Sequence, residues 1–247
     1  MVDTLSQTFE ERLEEIDAYL DLLEALERQV QEGPPRIGRA AITVQQQKIL
    51  YSSVYLQLYN LVEATVNWCV DAVCAAAADK GRWRPGDLSE DLRREWVRYT
   101  ARTHTNLNEQ HRLDLAVRMS DRLIQALPVP KFDIERSGGG WNDDEIVAIA
   151  RRLGFNLQIS TEVYSGIKRP IREDKGSLEL VRYLRNKLAH GSLSFAECGD
   201  GVTVEELKNL KQRTALFLRE VVAAFRTYID AHEFLIPERR PAPSAGL

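Results

Sequence analysis

Cysteine, glycine and proline are scarce in this chain of 247 residues, which contains three, 14 and nine of them. The cysteines (Cys69, Cys74 and Cys198) are odd in number and lack the spacing of zinc ligands, so neither a disulfide framework nor a zinc module is expected. Little glycine and proline, together with 44% hydrophobic residues, argue against a disordered chain. The sequence therefore predicts a globular protein with free thiols.

Long apolar runs are lacking as well. No stretch approaches the roughly 20 apolar residues that cross a bilayer. Residues 1–9 contain Asp3 and no basic cluster before an apolar stretch, unlike a secretory signal. We therefore predict a cytoplasmic protein that does not contact membranes.

A large positive charge is also missing, since the net charge is −4. This value argues against non-specific coating of nucleic acid, which requires many basic residues. The charge is unevenly distributed, however. Residues 1–32 contain ten acidic and two basic residues, a net charge of −8, whereas residues 168–190 contain seven basic and three acidic ones, a net charge of +4. A groove lined by the second segment would attract an anion locally.

Helical periodicity dominates the rest of the sequence. Apolar residues from Leu5 to Val30 recur at steps of three and four, which predicts an amphipathic helix over residues 1–32 that ends at Gly33-Pro34-Pro35. This apolar stripe must pack against the same chain or a second copy. Further helices are predicted over residues 44–78, 90–103, 109–127, 142–154, 177–189 and 203–235, and short strand signals occur only at 155–159 and 193–195. The predicted fold class is all-α, with a disordered tail over residues 237–247.

The side chains best suited to catalysis lie at the end of the helix predicted over 177–189. Asn186 and His190 are four apart and share a face, whereas Arg185 and His190 are five apart, about 140° around the helix. Arg185 and His190 converge only if the last turn unwinds at Gly191 or if two copies of the helix face each other. The second alternative predicts a composite site in a homodimer.

Cleavage of RNA without a metal requires this combination of side chains. One group removes the proton of the 2′-hydroxyl, another protonates the leaving oxygen, and a cation holds the phosphate. Histidine can transfer the protons and arginine can bind phosphate oxygens. The alternative is that His190 is only a helix-terminal residue favoured by the helix dipole. His104, His111 and His232 lack ligand-like spacing, so no metal and no cofactor is predicted.

The run from Arg185 to Gly191 resembles the R-x4-6-H signature of the HEPN superfamily (higher eukaryotes and prokaryotes nucleotide-binding domains). Segments that resemble bacterial MAE-type HEPN nucleases are Leu58–Val66, Ser137–Asn142, Ser194–Gly199 and the helix capped by Thr203. Gly138 to Gly140 and Trp141 depart from the family's usual single glycine followed by asparagine.

The resemblance implies one helical domain over residues 1–236 that commonly dimerises. It also implies a metal-independent endoribonuclease, a toxin or effector of a toxin–antitoxin or anti-phage defence system. Arg185 and His190 would be catalytic, with Asn186 assisting. The alternative is a non-catalytic HEPN module that binds RNA, a nucleotide or a partner protein.

Other candidate residues surround this motif. Asn60, Glu63 and Asn67 form a polar strip on the second helix, and Glu63 is predicted to meet the helix that bears Arg185; the alternative is that the strip faces water. The predicted RNA-binding residues are Arg182, Lys187, Lys168 and Arg169, of which the last two could instead be solvated charge. Tyr183 is assigned to packing. The acidic first helix is a candidate docking surface for an antitoxin or companion protein.

Overall fold

The computed structural model describes residues 2–30, 32–102, 105–136 and 140–242. The helices are α1 (Val2–Val30), α2 (Val44–Ala77), α3 (Glu90–Ala101), α4 (Glu109–Ile124), α5 (Asp143–Arg152), α6 (Thr161–Lys168), α7 (Ser177–Ala189), α8 (Phe195–Cys198) and α9 (Val204–Asp230). Two short strands, β1 (Arg36–Ile37) and β2 (Ala40–Ala41), pair antiparallel between α1 and α2. The predicted all-α fold is confirmed.

Helix α2 is the centre of the bundle, with α1, α7, α8 and α9 packed around it. Its capping box is formed by Thr43 and Gln46. Val54, Leu58, Val66 and many other side chains along its length are fully buried. A helix that is apolar on more than one face is typical of such a position.

In the described chain, one helical stretch (Val44–Gly81) is long and apolar enough to cross a membrane by length and composition. Between Ile49 and Ala78, this stretch contains two charged residues, Glu63 and Asp71. Half of its most apolar window is buried inside the fold, as in the central helix of a globular bundle.

The apolar stripe of α1 is buried within its own chain. Leu5, Phe9, Leu13, Ile16, Leu20, Leu23 and Leu26 are all nearly inaccessible, and α1 packs on α2 and α9. Of the two partners considered for this stripe, the same chain is therefore the one observed.

Ion pairs between α1 and α9 flank this buried stripe. Glu10 accepts two hydrogen bonds of 2.8 Å from Arg219. Two further pairs join Asp17 to Lys211 at 2.6 Å and Glu24 to Lys208 at 3.0 Å. The three acids are spaced by seven residues, so they follow one edge of the helix. Part of the negative charge of α1 is therefore paired with basic residues of α9.

The strand predictions for residues 155–159 and 193–195 were wrong. Residues 155–159 form an irregular segment, in which the Phe155 ring stacks on Tyr228 at 4.4 Å, and Phe195 begins the short helix α8. Their alternating apolar residues pack on helices rather than in a sheet. Helix α6 was not predicted; its eight residues follow the N-cap Ser160, whose hydroxyl accepts a hydrogen bond from Val163.

The ordered chain continues past the domain boundary predicted at residue 236. Pro237–Arg239 form a 3-10 turn, and Arg239 pairs with Asp87 at 2.9 Å. This part of the predicted disordered tail is therefore structured. Residues 243–247 lie outside the described residues.

Truncating a buried leucine of α1 tests whether this helix belongs to the core. We expect Leu23→Ala to lower the free energy of unfolding by about 2–5 kcal/mol, because Leu23 has no exposed surface and its loss leaves a cavity. The matched control is the adjacent Leu22→Ala, since Leu22 is 46% exposed, and it should change stability by less than about 0.5 kcal/mol. Urea denaturation followed by circular dichroism measures both. Equal effects of the two substitutions would contradict the packing described here.

Candidate active site

The end of α7 determines where His190 lies. The backbone N–H of Ser192 donates to the Lys187 carbonyl, and that of Gly191 donates to the Leu188 carbonyl. With Gly191 at φ +68°, these bonds form a Schellman motif. Gly191 therefore caps the C-terminus of α7.

The last turn of α7 does not unwind. His190 is the C-cap residue, and its N–H still donates to the Asn186 carbonyl at 3.0 Å. The first way in which Arg185 and His190 could converge within one chain, an unwound last turn, is therefore not observed.

Arg185 is directed toward α2. Its guanidinium carbon lies 3.7 Å from the centre of the Tyr59 ring, a cation–π contact. One guanidinium nitrogen donates a 2.9 Å hydrogen bond to the side-chain oxygen of Asn186, and another lies 4.0 Å from a Glu63 carboxylate oxygen. The prediction that Glu63 faces the helix bearing Arg185 is confirmed, although the Glu63 side chain is 44% exposed.

Gly140 packs against the hydroxyl of Tyr59. A Cβ atom at position 140 would lie 2.8 Å from this hydroxyl oxygen, and Gly140 has φ +83°. Burial raises the pKa of the Tyr59 hydroxyl; Glu63 acts in the same direction and Arg185 opposes it. The hydroxyl therefore stays protonated at neutral pH. The neighbouring Ser137, Gly138 and Gly139 of the glycine loop lie outside the described residues.

A cleft of about 440 Å3 runs along the exposed face of α7. Lys175, Glu179, Arg182, Tyr183, Asn186, Lys187, His190 and Ser192 line it. Three side chains of this lining are basic and one is acidic, so the cleft is positively charged. The His190 imidazole is exposed, and in the part of the chain that the structure describes neither ring nitrogen has a hydrogen-bond partner.

Asn186 connects the two halves of the site. It lines the cleft together with His190 and accepts the hydrogen bond from Arg185. The structure thus brings together Arg185, Asn186 and Glu63 on the side of α2, and Asn186 and His190 in the cleft. Arg182 and Lys187, two predicted RNA-binding residues, also line the cleft.

Lys168 and Arg169 are not among the cleft-lining residues. Lys168 lies 2.5 Å from Asp143 and 3.6 Å from Asp144, at the start of α5. Arg169 is exposed at the end of α6. Lys168 thus forms an ion pair with the start of α5 while its side chain stays 45% exposed, and its contact with RNA stays a prediction.

The sequence interpretation missed Tyr59, Lys175 and Tyr183 as site residues. The helical spacing of four from Tyr59 to Glu63 and from Tyr183 to Lys187 was the available signal. Among the described residues, no group of three or more His, Cys, Asp or Glu side chains is arranged to hold a metal ion; His104 lies outside them.

The all-α bundle around one long helix is the architecture of a HEPN-type domain. The chain belongs to the MAE_28990-like HEPN family, whose model matches residues 1–234. Comparison with curated proteins and with solved structures finds no significant match.

Substitution of Gly140 tests its contact with Tyr59, the residue whose ring Arg185 contacts. We expect Gly140→Ala to lower the free energy of unfolding by about 1–3 kcal/mol, because a non-glycine residue is strained at this φ and its Cβ collides with the Tyr59 hydroxyl. Tyr59→Phe removes that hydroxyl, so the cost of Gly140→Ala should be at least about 0.5 kcal/mol smaller in the Tyr59→Phe background. A double-mutant cycle by urea denaturation measures the difference. An unchanged cost would mean that only the backbone strain matters.

Proposed function

We propose that this protein is a metal-independent endoribonuclease. The observation that carries this proposal is the end of α7, where His190 and Asn186 line a basic cleft and Asn186 is hydrogen-bonded to Arg185. Membership in a HEPN family supports the proposal, although fold alone does not define an activity.

The proposed reaction uses proton transfer and charge stabilisation. The 2′-oxygen of RNA loses its proton and attacks the adjacent phosphorus, and the bond from phosphorus to the 5′-oxygen breaks as that oxygen gains a proton. The products are a 2′,3′-cyclic phosphate and a 5′-hydroxyl. His190 would transfer protons and Arg185 would hold the phosphate as its charge develops. Asn186 would orient the two residues.

A second copy of the chain would complete this site. Arg185 contacts α2 whereas His190 lines the cleft on the exposed face of α7. Since α7 remains regular up to His190, the facing of two α7 helices is the remaining way to join both groups on one phosphate. We therefore propose a homodimer with a composite cleft.

A non-catalytic RNA-binding module is the second candidate. It is favoured by the contacts of Arg185, whose guanidinium is already engaged by Tyr59, Asn186 and Glu63. In that case Arg185 would be a structural residue, and the basic cleft would bind RNA without cutting it.

The biological setting is proposed from the family resemblance. Such an endoribonuclease would act in the cytoplasm as a toxin or an effector of anti-phage defence. An antitoxin or companion protein would restrain it. Outward-facing acids of α1, such as Glu11 and Glu14, are exposed and offer this partner a negatively charged surface.

Cleavage of RNA by the purified protein tests the proposed function. We expect cleavage in EDTA, with 2′,3′-cyclic phosphate ends, and a loss of about 100-fold or more in His190→Ala, since proton transfer in catalysis is worth about 10²–10⁴-fold. His111→Ala is the matched control, because His111 is exposed on α4, outside the cleft-lining set. Equal activity of both variants, or loss of activity in EDTA, would contradict the mechanism.

Mixing two inactive variants tests the composite site. If two chains share one cleft, a mixture of Arg185→Ala and His190→Ala should form mixed dimers that retain one arginine and one histidine. This mixture should cleave RNA faster than either variant alone. A mixture as inactive as its components, with mixed dimers shown to form by native mass spectrometry, would exclude the shared cleft.

A further inference from the structure

In the cleft, the ring of Tyr183 contacts two lysine side chains. The ammonium of Lys175 lies 4.8 Å from the centre of the Tyr183 ring, and that of Lys187 lies 4.5 Å from it. Lys175 comes from the loop before α7, whereas Lys187 lies one turn after Tyr183. We define Lys175, Tyr183 and Lys187 as the lysine–tyrosine cluster.

The ring reduces the cost of holding two like charges together. The negative face of an aromatic ring attracts ammonium groups, and this attraction offsets part of the repulsion between the two lysines. The only acidic residue in the cleft lining is Glu179, 3.7 Å from Lys175. Glu173, outside this lining, also acts electrostatically on Lys187, but with Arg182 the cleft holds three basic side chains against these two acids.

The Tyr183 ring, to which both ammonium groups are directed, lies nearer the start of α7 than His190 does. Glu179, Arg182, Tyr183, Asn186, Lys187 and His190 lie on one face of α7, and Tyr183 precedes His190 by two turns, about 10 Å along the axis. Lys187 lies only one turn before His190, but its ammonium is directed back to the Tyr183 ring, so an anion held by the two lysines at this ring would be a different group from the one that His190 contacts. The cleft volume, about 440 Å3, falls within the range of about 300–1,000 Å3 for small-molecule sites.

We propose that Lys175 and Lys187, whose ammonium groups both contact the Tyr183 ring, bind a backbone phosphate of single-stranded RNA other than the phosphate that is cleaved. This inference rests on the proposed function and names the substrate class, an RNA with at least two phosphates. Single-stranded RNA fits this cleft because its exposed backbone can present successive phosphates to a positively charged groove. Tyr183 is a positioning residue, and its role depends on its ring rather than on its hydroxyl.

Binding of uncleavable RNA separates this proposal from catalysis. Fluorescence anisotropy with 2′-O-methyl oligouridines that contain one or three phosphates gives the affinity gained from the added phosphates. We expect a gain of at least tenfold in the wild type and less than twofold in the Lys175→Ala/Lys187→Ala variant. The slope of log affinity against log salt for the three-phosphate RNA should also become shallower in that variant, because fewer phosphate charges are neutralised.

Two variants at Tyr183 test the role of the ring. Tyr183→Phe should keep the gain from the added phosphates, whereas Tyr183→Leu should lose most of it while the affinity for the one-phosphate RNA changes little. Lys131→Ala is the matched control, since Lys131 is exposed and does not line the cleft, and it should keep the full gain. An equal loss of affinity for both RNAs in the lysine variants, or an unchanged gain, would overturn the proposal.

The two proposals fail in different ways. If uncleavable RNA shows the expected dependence on the lysines but no RNA is cut, the phosphate site stands and the endoribonuclease is wrong. If RNA is cut but the gain from the added phosphates is the same in the wild type and in the lysine variant, the phosphate site is wrong and the endoribonuclease stands.

Discussion

The structure depends on the burial of α2 by helices from both ends of the chain. Helix α1 covers α2 from the amino-terminal side, and α7, α8 and α9 cover it from the carboxy-terminal side. Because the apolar side chains of α2 point in most directions, its neighbours cannot rotate without exposing them. The packing of α7 against α2 therefore combines the buried core with the contacts of Arg185 to Tyr59 and Glu63.

The packing of α7 on α2 explains which residues surround Arg185. Tyr59 and Glu63 lie on consecutive turns of α2, and the packing of α7 brings Arg185 close to both residues. The same packing leaves the opposite face of α7 open as a basic cleft. One helix thus presents an arginine to the bundle and a histidine to the surface, and Asn186 is the residue that both sides share.

The sequence predicted well those features that depend on residues close together in the chain. Periodicity identified α1, α2 and α9, because long amphipathic helices repeat the same pattern many times, and helix geometry placed Asn186 and His190 on one face. It failed for α6, a short helix that depends on one cap, and for residues 155–159, where tertiary packing decides the backbone. Long-range pairs such as Arg185 with Tyr59, or Lys168 with Asp143, require the fold and leave no local pattern.

The open position of His190 has a consequence for its tautomer. In a histidine whose one ring nitrogen is hydrogen-bonded to the protein, that bond fixes which nitrogen carries the proton. Within the described residues, no such bond holds His190, so whatever enters the cleft selects the tautomer. The ligand therefore decides which nitrogen of this imidazole donates a hydrogen bond and which one accepts.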